Sequence, residues 1–276
     1  MPNADTQTIM RRLQDRDMPF AVATVVRTLS VTAAKAGAKA LILEDGTICA
    51  GWIGGGCARG ATLKAARESI ADGRPRLISV QPKDVLSELG VNSGEVRDGV
   101  RYATNMCPSQ GTMDIFIEPV LPRPELVVMG ASPVAVTLAE TAGSFGYDVT
   151  VATPAGDHES FTGVERLIDG FALPCTGRRR FIIVSTQGAG DEPALAAALA
   201  AQADQVAFVG SRRKAQSLTA KLREKGVAED RLAALKAPAG LDIGAVTPED
   251  IALSILAELV AWRSRLNAAG ASLPQH

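Results

Sequence analysis

The chain has 276 residues, 46% of them hydrophobic but only 4% aromatic, with a formal net charge of −1. That length is long for one domain and comfortable for two, and a near-neutral charge argues against a general nucleic-acid binder. No apolar run approaches the ~20 residues of a membrane span, and the opening MPNADTQTIMRRLQDRD lacks the apolar stretch of a secretory signal.

An opening helix is read around residues 5–16, then strands at Ala21–Arg27, Lys39–Leu43 and Thr47–Trp52. A helix from about Arg59 to Asp72 leads into strand Arg76–Val80, and strand Met113–Pro119 follows a polar, glycine-containing stretch over Pro82–Thr112. Within that stretch Asp84 is placed to cap a short helix over Val85–Leu89 that stops at Gly90. Pro119, Pro122 and Pro124 then cluster, and proline extends neither a helix nor a central strand. The chain is therefore divided into a domain at 1–120, a linker at 121–125, a second domain at 126–266 and a tail at 267–276 read as mobile.

In the second domain strands are expected at Leu126–Met129, Asp148–Ala152, Phe181–Ser185 and Gln205–Val209. They alternate with helices at Val134–Phe145, Glu192–Ala203, Lys214–Lys225 and about Pro248–Leu266, the last capped by Thr247 with Pro248 in its first position. With so few aromatics the core must be Ala, Val, Leu and Ile, a mix typical of helices on a largely parallel sheet. The fold class is thus α/β: a small N-terminal α/β domain followed by a Rossmann-like, doubly wound parallel-sheet domain. The stripe Ile251, Ile255 and Leu259 on the last helix would serve a homodimer as well as a core.

Trp52-Ile53-Gly54-Gly55-Gly56-Cys57-Ala58-Arg59-Gly60 carries the first candidate site. Consecutive glycines let the backbone approach a ligand closely, and they set Cys57 near a helix N-terminus, where the dipole favours negative charge on sulfur. The loop Thr28–Lys39 could close over Gly54–Gly56 with Lys35 or Lys39 reaching a phosphate, or be a plain surface loop. Cys107, in Met106-Cys107-Pro108-Ser109-Gln110-Gly111, is a second thiol in a turn of the same domain, either a soft-metal contact or a packing residue. Cys49 reads as a small buried hydrophobe, and Cys175 gives no signal. The four cysteines have no disulfide-scaffold density and no metal-site spacing, so a reducing cytoplasm is the natural setting. Only His158 and His276 are histidines, which nearly excludes triads and three-histidine metal sites.

The second domain opens with Gly130-Ala131-Ser132-Pro133-Val134-Ala135 in place of the dinucleotide fingerprint. Ser132 replaces the glycine that would admit pyrophosphate and reads instead as an N-cap before Pro133. The acid expected on a ribose hydroxyl at the end of the next strand is absent, since Val149-Thr150-Val151-Ala152-Thr153 ends in threonine. These departures favour a Rossmann-shaped scaffold put to other use over a working nicotinamide site. Gly210-Ser211-Arg212-Arg213 is a candidate anion turn, with solvated caps as the alternative. Arg178-Arg179-Arg180 reads as a solvated lead-in to a strand.

Three segments together resemble the XdhC/CoxI family, accessory factors that mature molybdenum hydroxylases such as xanthine dehydrogenase and carbon monoxide dehydrogenase. They are Ala23–Arg27 running through Gly37-Ala38-Lys39 to Gly54–Cys57, then Cys107–Gly111 with Phe116–Pro119, and Leu241–Ala245 with Thr247–Glu258. The resemblance implies binding of molybdenum cofactor (molybdopterin, or its cytosine dinucleotide form), help with its sulfuration or protection, and delivery to an apo-hydroxylase. A cysteine desulfurase is an implied second partner. Gly54, Gly55, Gly56, Cys57, Lys35, Cys107, Gly130, Ser132, Ser211 and Arg212 are the implied cofactor contacts, with Cys57 as metal or sulfur contact. The Ser132-Pro133 turn and the Ser30–Gly37 loop look closer to the carbon monoxide dehydrogenase branch. A nicotinamide-dependent oxidoreductase using the second domain, and an adaptor with no cofactor of its own, are the competing readings.

Overall fold

The computed structural model describes residues 6–269 apart from 30, 31, 33, 107–109 and 189. Cys107 and the tail beyond residue 269 therefore lie outside the described residues. The chain divides into two compact units, the second spanning Arg123–Ser264 and the first taking the residues up to Pro122 together with those from Arg265.

The first unit runs α1 (Thr6–Asp15), β1 (Phe20–Leu29), β2 (Lys39–Leu43), β3 (Ile48–Gly51), α2 (Gly56–Asp72), β4 (Arg76–Pro82), α3 (Lys83–Glu88), β5 (Val96–Arg97), β6 (Val100–Asn105) and β7 (Thr112–Val120). Its sheet has the order β3-β2-β1-β7-β4-β6-β5. Side chains alternate across a strand, so Ala21, Ala23 and Val25 of β1 meet Ala65, Ala66 and Ile70 of α2. Phe20 and Val22 face the other way, onto Leu13 of α1. The expectation of a largely parallel sheet does not carry over to this unit: β4–β6 is parallel, and every other described pairing in the sheet is antiparallel. Helices cover parts of both faces, and that burial calls for the same Ala/Val/Ile mix whichever way the strands run.

The polar stretch read between 82 and 112 holds β5 and β6, whose residues are all half-buried or exposed and so lack a clean alternation. Asp84 does not cap α3. The helix starts directly from β4 with Pro82 at the N-cap, leaving Asp84 inside the first turn.

The second unit holds β8 (Glu125–Met129), α4 (Pro133–Ala142), β9 (Asp148–Thr153), β10 (Arg166–Asp169), β11 (Arg180–Val184), α5 (Asp191–Ala200), β12 (Gln205–Phe208), α6 (Arg212–Glu224), α7 (Glu229–Ala233) and, as far as Ser264, α8 (Pro248–Ala269). The strands form one parallel sheet in the order β10-β9-β8-β11-β12, which winds outward in both directions from β8 and β11. β8 and β11 are buried along their whole length, as strands covered on both faces must be.

Two expectations are corrected here. Arg180 is not solvated: it is 2% exposed, and its Nε donates to Glu125 Oε2 at 2.7 Å. β8 and β11 lie side by side with Arg180 opposite Glu125, a pairing that local sequence does not reveal. Ile255 and Leu259 are fully buried and so belong to the core, offering no dimer face. α8 packs inward, with Trp262 stacked on Phe181 at 6.3 Å between ring centroids.

Candidate functional site

The turn between β3 and α2 is built by backbone rather than by packing. Gly51 lies at φ +75°, where a Cβ would stand 2.0 Å from the Lys39 carbonyl oxygen, so glycine alone lets β3 hug β2. Ile53 is fully buried and anchors the turn. Gly54 and Gly56 have φ of +102° and +55°, whereas Gly55, at φ −117° and ψ −174°, is extended backbone and caps α2 with no side chain. Among the described residues, a Cβ on Gly55 or Gly56 would meet no atom within 4 Å. No described residue crowds Gly55 or Gly56, and the first-turn amides of α2 have no side-chain cap.

Cys57 is the second residue of α2 and is half-buried. Its Sγ accepts a hydrogen bond from the Met106 backbone N–H at 3.4 Å. The glycine turn and the segment leading to Cys107 therefore meet, as far as Met106. Asn105 Nδ2 donates to the Gly111 carbonyl at 2.7 Å and closes the base of that loop. An open groove of about 610 Å³ passes Met106, with Lys83, Asp84, Ser87 and Gln110 on its walls.

Lys35 is exposed, and its carbonyl accepts from Ala38 N in a tight turn. The neighbouring Ala34, 2% exposed, pins this loop to the core under α2. The structure gives Lys35 no contact with the glycine turn. Cys49 Sγ donates to the Leu41 carbonyl at 3.5 Å, and burial pushes its thiol pKa up, consistent with a packing residue. Cys175 is exposed. No group of three metal-ligating side chains occurs among the described residues.

In the second unit the turn after β8 is knitted into the protein. Gly130, at φ +101°, would place a Cβ 2.7 Å from the Ser185 carbonyl oxygen and from Thr186 Cα. Ser132 caps α4 as expected, accepting from Ala135 N at 3.2 Å, and its hydroxyl also shares a 2.7 Å bond with Ser185 Oγ. At 8% exposure it stands where the fingerprint glycine would admit a pyrophosphate. Thr153, at the ribose-acid position, is buried and donates to Asp157 Oδ2. Next door, Asp191 accepts from Thr186 Oγ1 and Gly188 N and pairs with Lys214 Nζ. Burial pushes its carboxyl up, but these partners outweigh it and hold the pKa below the ordinary carboxylate value.

Ser211 caps α6, accepting from Lys214 N at 3.2 Å. Arg212 borders a cavity of about 530 Å³ beside β12. The far wall is a strap, residues 236–245, to which the sequence assigns no element and no candidate contact. Lys236 bridges it to β12, and its Nζ donates to the Pro238 and Gly240 carbonyls and to Glu258 Oε1 at 2.9–3.1 Å. Glu258, 4% exposed, takes the Gly240 amide on its other oxygen. The signal for this clamp was the glycine-rich Pro238–Gly244 run ahead of α8, but it names no partner.

Residues 13–81 match the model of the XdhC and CoxI family, and residues 126–259 match that of the XdhC Rossmann domain. The chain is 31% identical over 258 residues to an uncharacterized protein of Escherichia coli (strain K12), YqeB, across 90% of this chain and 44% of that one. It is 26% identical over 164 residues to a probable xanthine dehydrogenase subunit of Bacillus subtilis (strain 168), across 56% of this chain and 48% of that one. The chain thus spans about half the length of these curated relatives. A solved xanthine dehydrogenase from Bacillus halodurans aligns over 94% of this chain and 96% of its own, with 20% identity and a TM-score of 0.45.

Proposed function

The chain belongs to the XdhC and CoxI family, and on that premise we propose that it is an accessory factor that binds molybdenum cofactor, assists its sulfuration or protection, and hands it to an apo-hydroxylase. The B. subtilis relative, a probable xanthine dehydrogenase subunit, supports a client of xanthine dehydrogenase type. Neither curated relative points to carbon monoxide dehydrogenase.

One observation carries the reading: a half-buried thiol, Cys57, stands in the first turn of α2 beside an open glycine turn inside the matched segment 13–81. The donor set fits this cargo. A dithiolene already holds molybdenum, so the carrier needs one soft contact and a surface for phosphate rather than a metal-binding cluster. Cys57 supplies the sulfur, and the uncapped amides of α2 face the same turn. Among the described residues no helix is long and apolar enough to cross a membrane.

The test is retention. Purified protein is mixed anaerobically with molybdenum cofactor, desalted, and assayed for molybdenum and for pterin fluorescence after oxidation. Retention of both by the wild type and their loss in Cys57→Ala is the expected result, and absence of both from the wild type would overturn the proposal. The fingerprint turn gives the nicotinamide alternative no support, because the hydroxyls of Ser132 and Ser185 occupy each other there.

A further inference from the structure

In open α/β sheets, ligands bind beyond the carboxyl ends of the parallel strands. At the switch point between β8 and β11 the backbone of Gly130 runs too close to Ser185 and Thr186 for any side chain. An open volume lies at the end of β12. The cavity there, about 530 Å³, is within the range of small-molecule sites, roughly 300–1,000 Å³.

Its chemistry is specific. Arg212 and Asp242 both line it, and neither has a hydrogen-bond or ion-pair partner among the described residues. Lys236, the other cation on the wall, is spent on its three acceptors. The cavity therefore offers one free guanidinium, one free carboxylate, and apolar surface from Val209, Pro238, Leu241 and Ile251. The wall carrying Asp242 is held by the Lys236–Glu258 clamp. It also lies close on α8, because a Cβ on Gly240 would stand 2.2 Å from Ser254 Oγ.

We propose that this cavity binds a phosphorylated nucleoside. Arg212 takes the phosphate, as a guanidinium does best. Asp242 accepts from ribose hydroxyls or an exocyclic amine, and the apolar walls hold the flat base. A nucleoside monophosphate is the class that combines an anionic end, a donor end and a planar body at this size. The site is separate from Cys57 and stands on residues of the second unit alone.

Calorimetry on the full chain tests it, with CMP, AMP and GMP as probes and inorganic phosphate and the parent nucleosides as controls. At least one monophosphate should bind saturably below about 1 mM. Arg212→Gln should weaken it about tenfold, the value of one charge-assisted contact, and should leave nucleoside binding unchanged. Asp242→Asn should weaken nucleotide and nucleoside alike, without touching phosphate. Both side chains are exposed, so both variants fold. No saturable heat from any monophosphate would overturn the proposal, as would phosphate binding as tightly as the nucleotide or nucleotide binding indifferent to both substitutions. Cys57→Ala should bind nucleotide as the wild type does. A wild type that retains pterin but binds no nucleotide would sink this inference and leave the carrier reading standing.

Discussion

Gly55→Ala separates a ligand cradle from a merely geometric turn. At φ −117° and ψ −174° the residue lies where any L-residue is at ease, and an added methyl meets none of the described residues within 4 Å. Narrowing the unfolded chain stabilises by about 0.4–1 kcal/mol, while alanine is a poorer N-cap than glycine by roughly 0.5–1 kcal/mol. The two effects nearly cancel, so Tm should move by no more than about 2 °C. The same methyl stands in the open space over the turn, where a clash of about 1.4 kcal/mol lowers cofactor retention tenfold. Gly130→Ala is the contrasting control. Its φ of +101° and the 2.7 Å approach to Ser185 combine backbone strain with overpacking, about 2–5 kcal/mol together, and should lower Tm by on the order of 10 °C. Thermal melts monitored by circular dichroism, paired with molybdenum and pterin assays after desalting, read both effects. A Gly55→Ala protein that melts like the wild type and keeps its full load of cofactor would refute the cradle. A large fall in its Tm would make the turn structural.

Cys57→Ala should change Tm by less than about 2 °C, since Sγ accepts one long hydrogen bond, yet abolish maturation of the client; unchanged maturation would return the thiol to a packing role. Asp191 has a depressed native pKa, so its contribution is present above the unfolded value of about 3.9 and lost as pH falls through the native value. Asp191→Asn should therefore flatten the acid limb of the second unit's stability curve below about pH 4, and a limb parallel to the wild type's would contradict this. Lys236→Met removes the charged partner of the buried Glu258 carboxylate, which keeps the Gly240 amide, and should cost about 1–3 kcal/mol in urea unfolding; a cost under about 0.5 kcal/mol would show that the clamp carries no weight.

Local signals were legible where the physics is local. Ser132 and Pro133 at the start of α4, and Thr247 accepting from Asp250 N ahead of α8, follow from capping rules alone. Cys57 at a helix start follows from glycines after an apolar strand. What escaped depends on which strands become neighbours. Arg180 looks solvated until β8 brings Glu125 alongside, and Ile255 and Leu259 are ambiguous until α8 has a sheet to lie on. β6 and β10 escaped because they are short and only half-covered, which erases the period-two pattern. The strap at 236–245 has no periodicity at all, and its meaning rests on contacts with β12 and α8.

That strap has a consequence for solubility. β12 is the outer strand of its sheet, and a bare outer strand is a template for pairing with another chain. Here Lys236 N and Ala239 N donate to the Val206 and Phe208 carbonyls, and Phe208 N donates to the Lys236 carbonyl, so the outward-facing backbone is already occupied. The opposite border, β10, has only four residues, three of them exposed. A fragment ending before residue 236 would keep all five strands but uncover that border, and it should self-associate more readily than the intact chain.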